Sequence, residues 1–166
     1  MLGRDLASGA AFDEGYDQLL IATGARPFCP ELPGSDAAGI YGLSTLQSGI
    51  RVWQALAAEK PQRAVVVGGG YIGLEMAEAL VRRGLQVTLV QRGAEVMETL
   101  DVDMGALVSA ALRQVGVTLH LGESAIGFEV KDGRVEAVTT ERRTLPAQTV
   151  RHPGRWGDGF TAGYPW

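Results

Sequence analysis

AVVVGGGYIGLE at residues 64–75 is the clearest indication of the fold of this chain, because an apolar strand runs directly into a glycine turn. Residues 64–67 have the continuous apolar pattern of a strand buried on both faces of a parallel sheet. Gly68, Gly70 and Gly73 then match G-x-G-x-x-G, whose glycines permit a tight turn, a close approach of backbone to a pyrophosphate, and close packing of helix on strand. The stretch predicts a dinucleotide-binding turn, and the alternative is a structural glycine turn without a ligand.

The residues that follow complete a strand–helix–strand unit. Ile72, Met76 and Leu80 are spaced as one face of a helix, and Gly84 stands where a helix commonly ends. Residues 86–91 have the pattern of a second strand, so the unit has about the thirty residues that the fingerprint requires. Such a helix directs its free N–H groups and its positive dipole end at the phosphates.

Further periodicities surround this unit. They predict strands at residues 16–24 and 117–121, helices at 46–58 and from Asp101 as N-cap to Gly116, and a hairpin at 126–138 that turns at Asp132-Gly133. The apolar stripes of the two helices are Leu46, Ile50, Trp53 and Ala57, and Met104, Leu107, Val108, Ala111, Leu112 and Val115. The order of elements predicts an α/β fold, with a Rossmann-like parallel sheet, helices on both of its faces, and an antiparallel hairpin or meander that caps the sheet.

The composition limits the function classes. With 166 residues and a net charge of −4, the chain has room for one domain, and its scattered basic residues predict no nucleic-acid-binding surface. No long apolar run or signal peptide occurs, so no membrane association and a cytoplasmic location are expected. Cys29 is the only cysteine, and His120 and His152 lack companions at ligand spacing. No disulfide, dithiol pair or metal site is therefore expected.

The end of the second strand bears on the choice of cofactor. An acidic residue there would accept hydrogen bonds from the adenosine ribose and favour NAD, but this chain has Gln91 followed by Arg92. Glutamine lacks the charge that repels a 2′-phosphate, and the guanidinium of arginine binds one well. The pair favours NADP or the use of both nucleotides, and the alternative is a solvated arginine on a turn.

Two motifs, in this order, resemble one family. YDQLLIATGARP at residues 16–27 is similar to the strand-end signature of the flavin-dependent pyridine nucleotide-disulfide oxidoreductases, and VVGGGYIGLE at 66–75 is similar to their nicotinamide-nucleotide fingerprint. TLDVDM at residues 99–104 favours the branch of CoA-disulfide reductases and NADH oxidases. The resemblance covers about residues 15–150, which is one domain's worth of chain.

The resemblance implies roles for particular residues. Ala22, Thr23 and Gly24 would lie near FAD, and Gly68, Gly70 and Gly73 would hold the pyrophosphate of NAD(P)H. The predicted NAD(P)H site consists of these glycines together with Gly69, Tyr71, Ile72, Gln91 and Arg92. As catalytic residues, Tyr71 would cover the flavin ring and move aside for the nicotinamide, and Glu75 would lie near the reactive edge of the flavin. Hydride would pass from NAD(P)H to FAD and on to a disulfide or oxygen. The residues alone leave open a surface tyrosine and a first-turn glutamate that only favours the helix dipole.

Departures from the family pattern predict an incomplete enzyme. The first flavin-binding glycine motif, the redox-active cysteine and the dimerisation domain of the homodimeric relatives have no counterpart in the sequence. The predicted domains are a remnant of the FAD domain with a connector at 1–45, the NAD(P)-binding domain at 46–150, and an irregular, non-native tail at 151–166. A frameshift or premature end would explain that tail. An inactive portion of a flavin oxidoreductase is expected, and the alternatives are a stand-alone nucleotide-binding module and a decayed reading frame.

Overall fold

A computed structural model describes residues 1–20, 22, 27–28, 31–152 and 155–156 of the chain. Its helices are α1 (Leu46–Glu59), α2 (Tyr71–Arg82) and α3 (Val102–Gln114). Its strands are β1 (Leu2–Arg4), β2 (Ala11–Asp13), β3 (Pro27–Phe28), β4 (Ile40–Tyr41), β5 (Arg63–Val67), β6 (Gln86–Gln91), β7 (Thr118–Leu121), β8 (Ala125–Lys131), β9 (Arg134–Thr140), β10 (Thr144–Pro146), β11 (Thr149–Arg151) and β12 (Arg155–Trp156).

A five-stranded sheet in the order β4-β11-β5-β6-β7 forms the centre of the molecule, and every pair in it is parallel. Val66 of β5 lies opposite Leu89 of β6 on one side and Arg151 of β11 on the other. The sheet confirms the predicted α/β fold with a Rossmann-like parallel core. Because the strands are parallel, their carboxyl ends meet at one edge, where ligands of such sheets bind.

The two faces of this sheet are covered by different kinds of structure. On one face, Val66 and Leu89 pack with Ala77 and Leu80 of α2, Leu112 of α3 and, at the edge of the cluster, Leu56 of α1. On the other face, Val65 and Val150 pack with Phe128, Val135 and Val138 of the antiparallel sheet β10-β9-β8. The expected meander is confirmed, but helices on both faces are not found in the described chain. The three-stranded sheet occupies the second face because its own apolar side must be buried somewhere.

The helices begin and end close to the expected residues, but α1 buries another face than predicted and α3 buries only part of its predicted stripe. In α1, Val52 is 6% exposed whereas Trp53 of the predicted stripe is 56% exposed. In α3, Ser109 and Leu112 are buried, while Met104 and Leu107 are exposed. Asp101 is the N-cap of α3 as predicted, although its side chain makes no capping hydrogen bond. The apolar spacing predicted both helices correctly. It indicated the wrong side of α1, whereas in α3 Leu112 and Val108 of the predicted stripe do pack in the core.

The hairpin of β8 and β9 has the predicted turn. Asp132 and Gly133 both have positive φ, +50° and +75°, as a type I′ turn requires. β10 adds a third strand beside β9. The hairpin thus belongs to its own sheet and caps the parallel one, as expected.

The two ends of the chain differ from the expectations. The strand expected at 16–24 is absent from residues 16–20 and 22, and an unexpected antiparallel pair, β1 and β2, forms earlier. The tail expected from residue 151 differs at its start, because Arg151 ends β11 in the central sheet and both Arg151 and His152 are buried. Cys29, Thr23, Gly24 and residues 157–166 lie outside the described part.

Candidate functional site

The glycine turn between β5 and α2 lies at the carboxyl edge of the central sheet. Gly68 has a φ of +91°, a conformation that side-chain-bearing residues rarely adopt. A Cβ on Gly73 would stand 2.0 Å from the carbonyl oxygen of Gly68, so only glycine permits this closeness of helix and strand. The first and third glycines of the fingerprint are therefore required by the turn itself.

Gly70 serves another purpose, because a Cβ on it would meet nothing within 4 Å. It is the N-cap of α2, with φ −81° and ψ −178°, and no side chain caps the helix there. The N–H groups of Tyr71, Ile72 and Gly73 in the first turn have no intrahelical acceptor, as at every helix start. Open space in front of uncapped N–H groups and the positive helix end suits an anion.

Gln91 supports the turn from β6. Its side-chain oxygen accepts a hydrogen bond of 2.8 Å from the N–H of Gly69, and the residue is buried. The N–H of Gly68 donates to the carbonyl of Val90 at 2.7 Å. The structure thus gives Gln91 a role that the sequence did not indicate, namely to hold the backbone of the glycine turn.

The loop after β6 closes the other side of the turn. The N–H of Met97 donates to the carbonyl of Gly69 at 2.8 Å, and Met97 has a φ of +56°. Such a conformation in a non-glycine residue is strained and occurs where the surrounding structure enforces it. Glu98 and Thr99, which follow, are exposed and line the same cleft.

These elements enclose a cleft of about 330 Å³. It is lined by Gly68, Gly69, Gly70, Tyr71, Ile72, Gly73, Gln91, Met97, Glu98, Thr99 and Arg151. The structure therefore brings together the predicted residues 68–73 and Gln91. Sequence reasoning did not assign the last four residues to the site. Met97 and Glu98 belong to no motif, Thr99 begins the TLDVDM motif, which was used only to indicate the branch of the family, and Arg151 stands in the segment expected to be an irregular tail.

Arg151 is the one buried cation of this lining, with 5% of its surface exposed. It ends β11, next to β5, and its terminal Nη1 lies 3.7 Å from the position that a Cβ on Gly73 would take. Burial lowers the pKa of Arg151 to about 10, so the guanidinium still carries its charge at neutral pH.

Other predicted site residues lie outside the cleft or at its mouth. Tyr71 is 66% exposed at the mouth. Glu75 is exposed and lines a groove between α2 and α3 instead, beside Glu78. Arg92 is exposed directly after β6, and Ala22 is exposed in the N-terminal part of the chain. The structure therefore brings neither Glu75 nor Arg92 to the cleft wall.

Glu123 is a buried acidic residue next to the end of β6. Glu123, 1% exposed, accepts hydrogen bonds from the hydroxyl of Thr140 and from Nε of Arg143, the latter at 3.1 Å. Burial raises the pKa of Glu123, but the bond from Thr140 and the charge of Arg143 outweigh it and hold the pKa below its usual range. The N–H of Glu123 donates to the carbonyl of Gln91 at 3.1 Å, so the cluster positions the end of β6.

A larger cavity of about 650 Å³ lies between the end of α1 and the β8–β9 hairpin. Its charged side chains are partly paired with each other, Arg134 with Glu59 and Lys131 with Glu136 at 3.9 Å. It has neither a glycine turn nor a helix N-terminus, so the smaller cleft is the better candidate site. Within the described residues, no helix is long and apolar enough to cross a membrane, and no cluster of metal-ligating side chains occurs.

Comparison with known proteins assigns most of the chain. Residues 3–153 match the family described as pyridine nucleotide-disulphide oxidoreductase. The NADH oxidase of Lactococcus lactis subsp. cremoris is 38% identical over 139 residues, which are 82% of this chain and 31% of that protein. The CoA-dependent NAD(P)H sulfur oxidoreductase of Pyrococcus abyssi is 35% identical over 136 residues, 81% of this chain and 30% of that protein.

A solved structure shows the same likeness in three dimensions. The FAD-dependent pyridine nucleotide-disulphide oxidoreductase from Desulfovibrio vulgaris has a TM-score of 0.72 and 32% identity, and the match covers 89% of this chain and 38% of that chain. This chain thus spans about a third of the length of the curated relatives it matches.

Proposed function

This chain belongs to the pyridine nucleotide-disulphide oxidoreductase family, and we propose that its glycine cleft binds the pyrophosphate of NAD(P)H. The observation that carries the proposal is the open space at Gly70, in front of an uncapped helix N-terminus. Gly69, whose N–H is held by Gln91, keeps the turn in the shape that this approach needs. The names of the relatives, an NADH oxidase and an NAD(P)H sulfur oxidoreductase, support the same cofactor.

The residues of the cleft fit a dinucleotide by their chemistry. The N–H groups of Tyr71, Ile72 and Gly73 donate to the phosphate oxygens, and the helix dipole favours the negative charge. Ile72 and Met97 give the cleft an apolar wall beside this polar turn. When bound, the nucleotide supplies a hydride from its nicotinamide ring. The protein holds and orients it.

Gly70→Ala tests the proposal, because the new methyl group fills the space through which the pyrophosphate approaches. We expect NADPH to bind to the unaltered chain and to lose at least about tenfold in affinity for the variant, measured by calorimetric or fluorescence titration. Gly15→Ala is the matched control, since Gly15 also has open space around it and lies outside the cleft. Equal affinity of Gly70→Ala and the unaltered chain would contradict the proposal.

For the choice of nucleotide, we propose a preference for NADPH. Arg92 is exposed at the end of β6 and makes no ion pair with any described residue, so its guanidinium is available to a 2′-phosphate. Gln91 adds no negative charge there, whereas the exposed carboxylate of Glu98 opposes the preference. We expect Arg92→Ala to weaken NADPH binding and to leave NADH binding unchanged. At least about tenfold tighter binding of NADH than of NADPH by the unaltered chain would contradict this preference.

For the whole protein, we propose that this chain is the NAD(P)-binding portion of a flavin-dependent oxidoreductase, with its nucleotide-binding domain at about residues 46–150. The FAD-dependent relative supports the flavin. Tyr71 at the mouth of the cleft is free to cover a flavin ring, and Glu75 is exposed one turn further along α2. Of the residues assigned to the flavin, the described part contains Ala22 alone, so the flavin role rests on the relatives.

Purification shows whether this chain retains a flavin, whereas binding of nucleotide without colour is expected both of the NAD(P)-binding portion and of a stand-alone binding module. A yellow protein that oxidises NAD(P)H in the presence of FAD would support an oxidoreductase that retains its flavin. A colourless protein that binds NAD(P)H without turnover would support the nucleotide-binding portion alone, and this is the result that we expect. Absence of both colour and nucleotide binding would contradict both.

A further inference from the structure

Arg151 points to the helix-covered face of the sheet. It lies directly opposite Val66 on the neighbouring parallel strand, and side chains of directly opposed residues extend to the same face. Val66 is packed in the cluster that also contains α2 residues. With Nη1 close to Gly73, the guanidinium of Arg151 lies beneath the first turn of α2 and borders the cleft.

This guanidinium has no counter-charge in the described chain. No ion pair or side-chain hydrogen bond of Arg151 is formed there, and its Nε is buried without a partner. Glu98 is the one acidic residue of the cleft lining, and it is exposed and not within ion-pair distance of Arg151. The N-terminus of α2 adds further positive potential at the same place.

A buried, unpaired cation beside a positive helix end is unfavourable, and buried charges are ordinarily paired. An anion in the cleft would remove this cost. Arginine is suited to the task, because its planar guanidinium donates two parallel hydrogen bonds to a phosphate. Two independent features, the uncapped helix N-terminus at Gly70 and the unpaired Arg151, therefore both favour binding of an anion in this cleft.

We propose that Arg151 is a phosphate-binding residue of this cleft, which donates hydrogen bonds to the pyrophosphate of the bound dinucleotide. The proposal rests on the nucleotide site described above. The position in the sheet selects the pyrophosphate and not the 2′-phosphate: Arg151 is on β11, whereas Gln91 and Arg92 are at the end of β6, and β5 with its glycine turn lies between. A dinucleotide that crosses the turn at Gly70 has its adenosine toward β6 and its nicotinamide half toward β11.

Arg151→Met removes the charge and keeps an unbranched apolar side chain in the same space. We expect the variant to bind NADPH and ADP-ribose about tenfold more weakly than the unaltered chain, because both ligands contain the pyrophosphate. Adenosine 2′,5′-bisphosphate lacks the second phosphate of the bridge and should lose no more than about twofold. Arg151→Lys keeps the charge and should recover part of the affinity.

The stability of the variant is measured in parallel by urea unfolding without nucleotide. Replacing a buried unpaired charge with an apolar side chain should leave the midpoint unchanged or raise it. If Arg151→Met does not fold, Arg151→Gln, which is shorter and uncharged but keeps an N–H donor, takes its place in the same titrations.

The outcomes separate this inference from the proposed function. If the unaltered chain binds NADPH and Arg151→Met binds it equally well, the role of Arg151 is refuted and the nucleotide site stands. Equal losses for ADP-ribose and adenosine 2′,5′-bisphosphate would refute the assignment to the pyrophosphate. If the unaltered chain binds no dinucleotide, inorganic pyrophosphate is the probe: binding that depends on Arg151 supports an anion site, and no binding refutes both proposals.

Discussion

Gly70 and Gly73 are three residues apart in one motif, and their surroundings differ completely. A side chain at Gly73 would collide with the backbone of Gly68 at 2.0 Å, so this glycine is required for folding. A side chain at Gly70 would meet only open space, so folding does not require glycine there. Within the G-x-G-x-x-G turn, this open space is where the proposed pyrophosphate would approach the backbone.

Glu123 gives a prediction at the residue scale. Its pKa in the folded chain is held below the usual value of 4.5 for a glutamate, so the carboxylate stabilises the fold above about pH 4.5, and this contribution is lost as the pH falls through the lowered pKa. We expect Glu123→Gln to unfold at lower urea concentration than the unaltered chain at about pH 6, and the gap to narrow as the pH falls below about 4.5.

Glu136→Gln is the control for this experiment, because Glu136 is exposed and only loosely paired with Lys131. Its urea midpoint should follow the midpoint of the unaltered chain at each pH. If the difference in urea midpoint between Glu123→Gln and the unaltered chain stays constant over the whole pH range, the Glu123 cluster stabilises the fold by packing and not by charge.

At the scale of elements, α1 contains more apolar residues at helical spacing than it buries. Thr45 and Ser48 form a reciprocal capping box at its start, and Lys60 ends it in a left-handed conformation with φ +46°. However, the helix buries Val52 fully and Leu56 partly, whereas Ile50 and Trp53 are exposed. The caps determine where α1 begins and ends, and the neighbouring elements determine which side of it is buried.

The buried face of α1 gives a prediction for this scale. Val52→Ala removes two buried methyl groups and leaves a cavity, so we expect a loss of about 2 kcal/mol in the free energy of unfolding, measured with urea. Ile50→Ala, on the same helix but 40% exposed, should cost less than about 0.5 kcal/mol. The reverse order of the two costs would show that the predicted stripe, and not the observed face, is the buried one.

At the scale of the molecule, the central sheet and the antiparallel β8–β10 sheet form one packed body. The side-chain oxygen of Gln148, just before β11, accepts hydrogen bonds from the backbone N–H groups of Gln62 and Arg63 at 2.8 and 3.2 Å. These bonds connect the segment before β11 to the start of β5. Among the described strands, β1 and β2 pair with each other and with no other strand, and the apolar residues Leu2, Leu6 and Phe12 of this hairpin are exposed. The described chain thus has one stable core with a hairpin attached outside it.

Hydrogen exchange of the whole chain tests this division. Amides of Val65, Val66 and Leu89, in the buried central strands, should exchange only by global unfolding. Amides in residues 2–4 and 11–13 should exchange many-fold faster, because opening the hairpin exposes little apolar surface. Equal protection of the hairpin and the central strands would contradict a single core.

Much of this protein is determined by local sequence. The strand before Gly68, the helix after it and the turn at Asp132-Gly133 were predicted because continuous apolar runs, helical spacing and special glycine conformations act within a few residues. The spacing of the glycines indicates a dinucleotide-binding turn, and the resemblance of residues 16–27 and 66–75 to known motifs indicates the family.

The residues that line the cleft and the elements that cover the sheet depend on contacts between distant parts of the chain. Gln91 bonds the backbone of Gly69 across 22 positions of sequence, and Arg151 reaches the turn from a strand that sequence reasoning placed in an irregular tail. Which face of α1 is buried depended likewise on distant neighbours. These contacts join residues far apart in the chain, and no local propensity contains information on which strand will lie beside which.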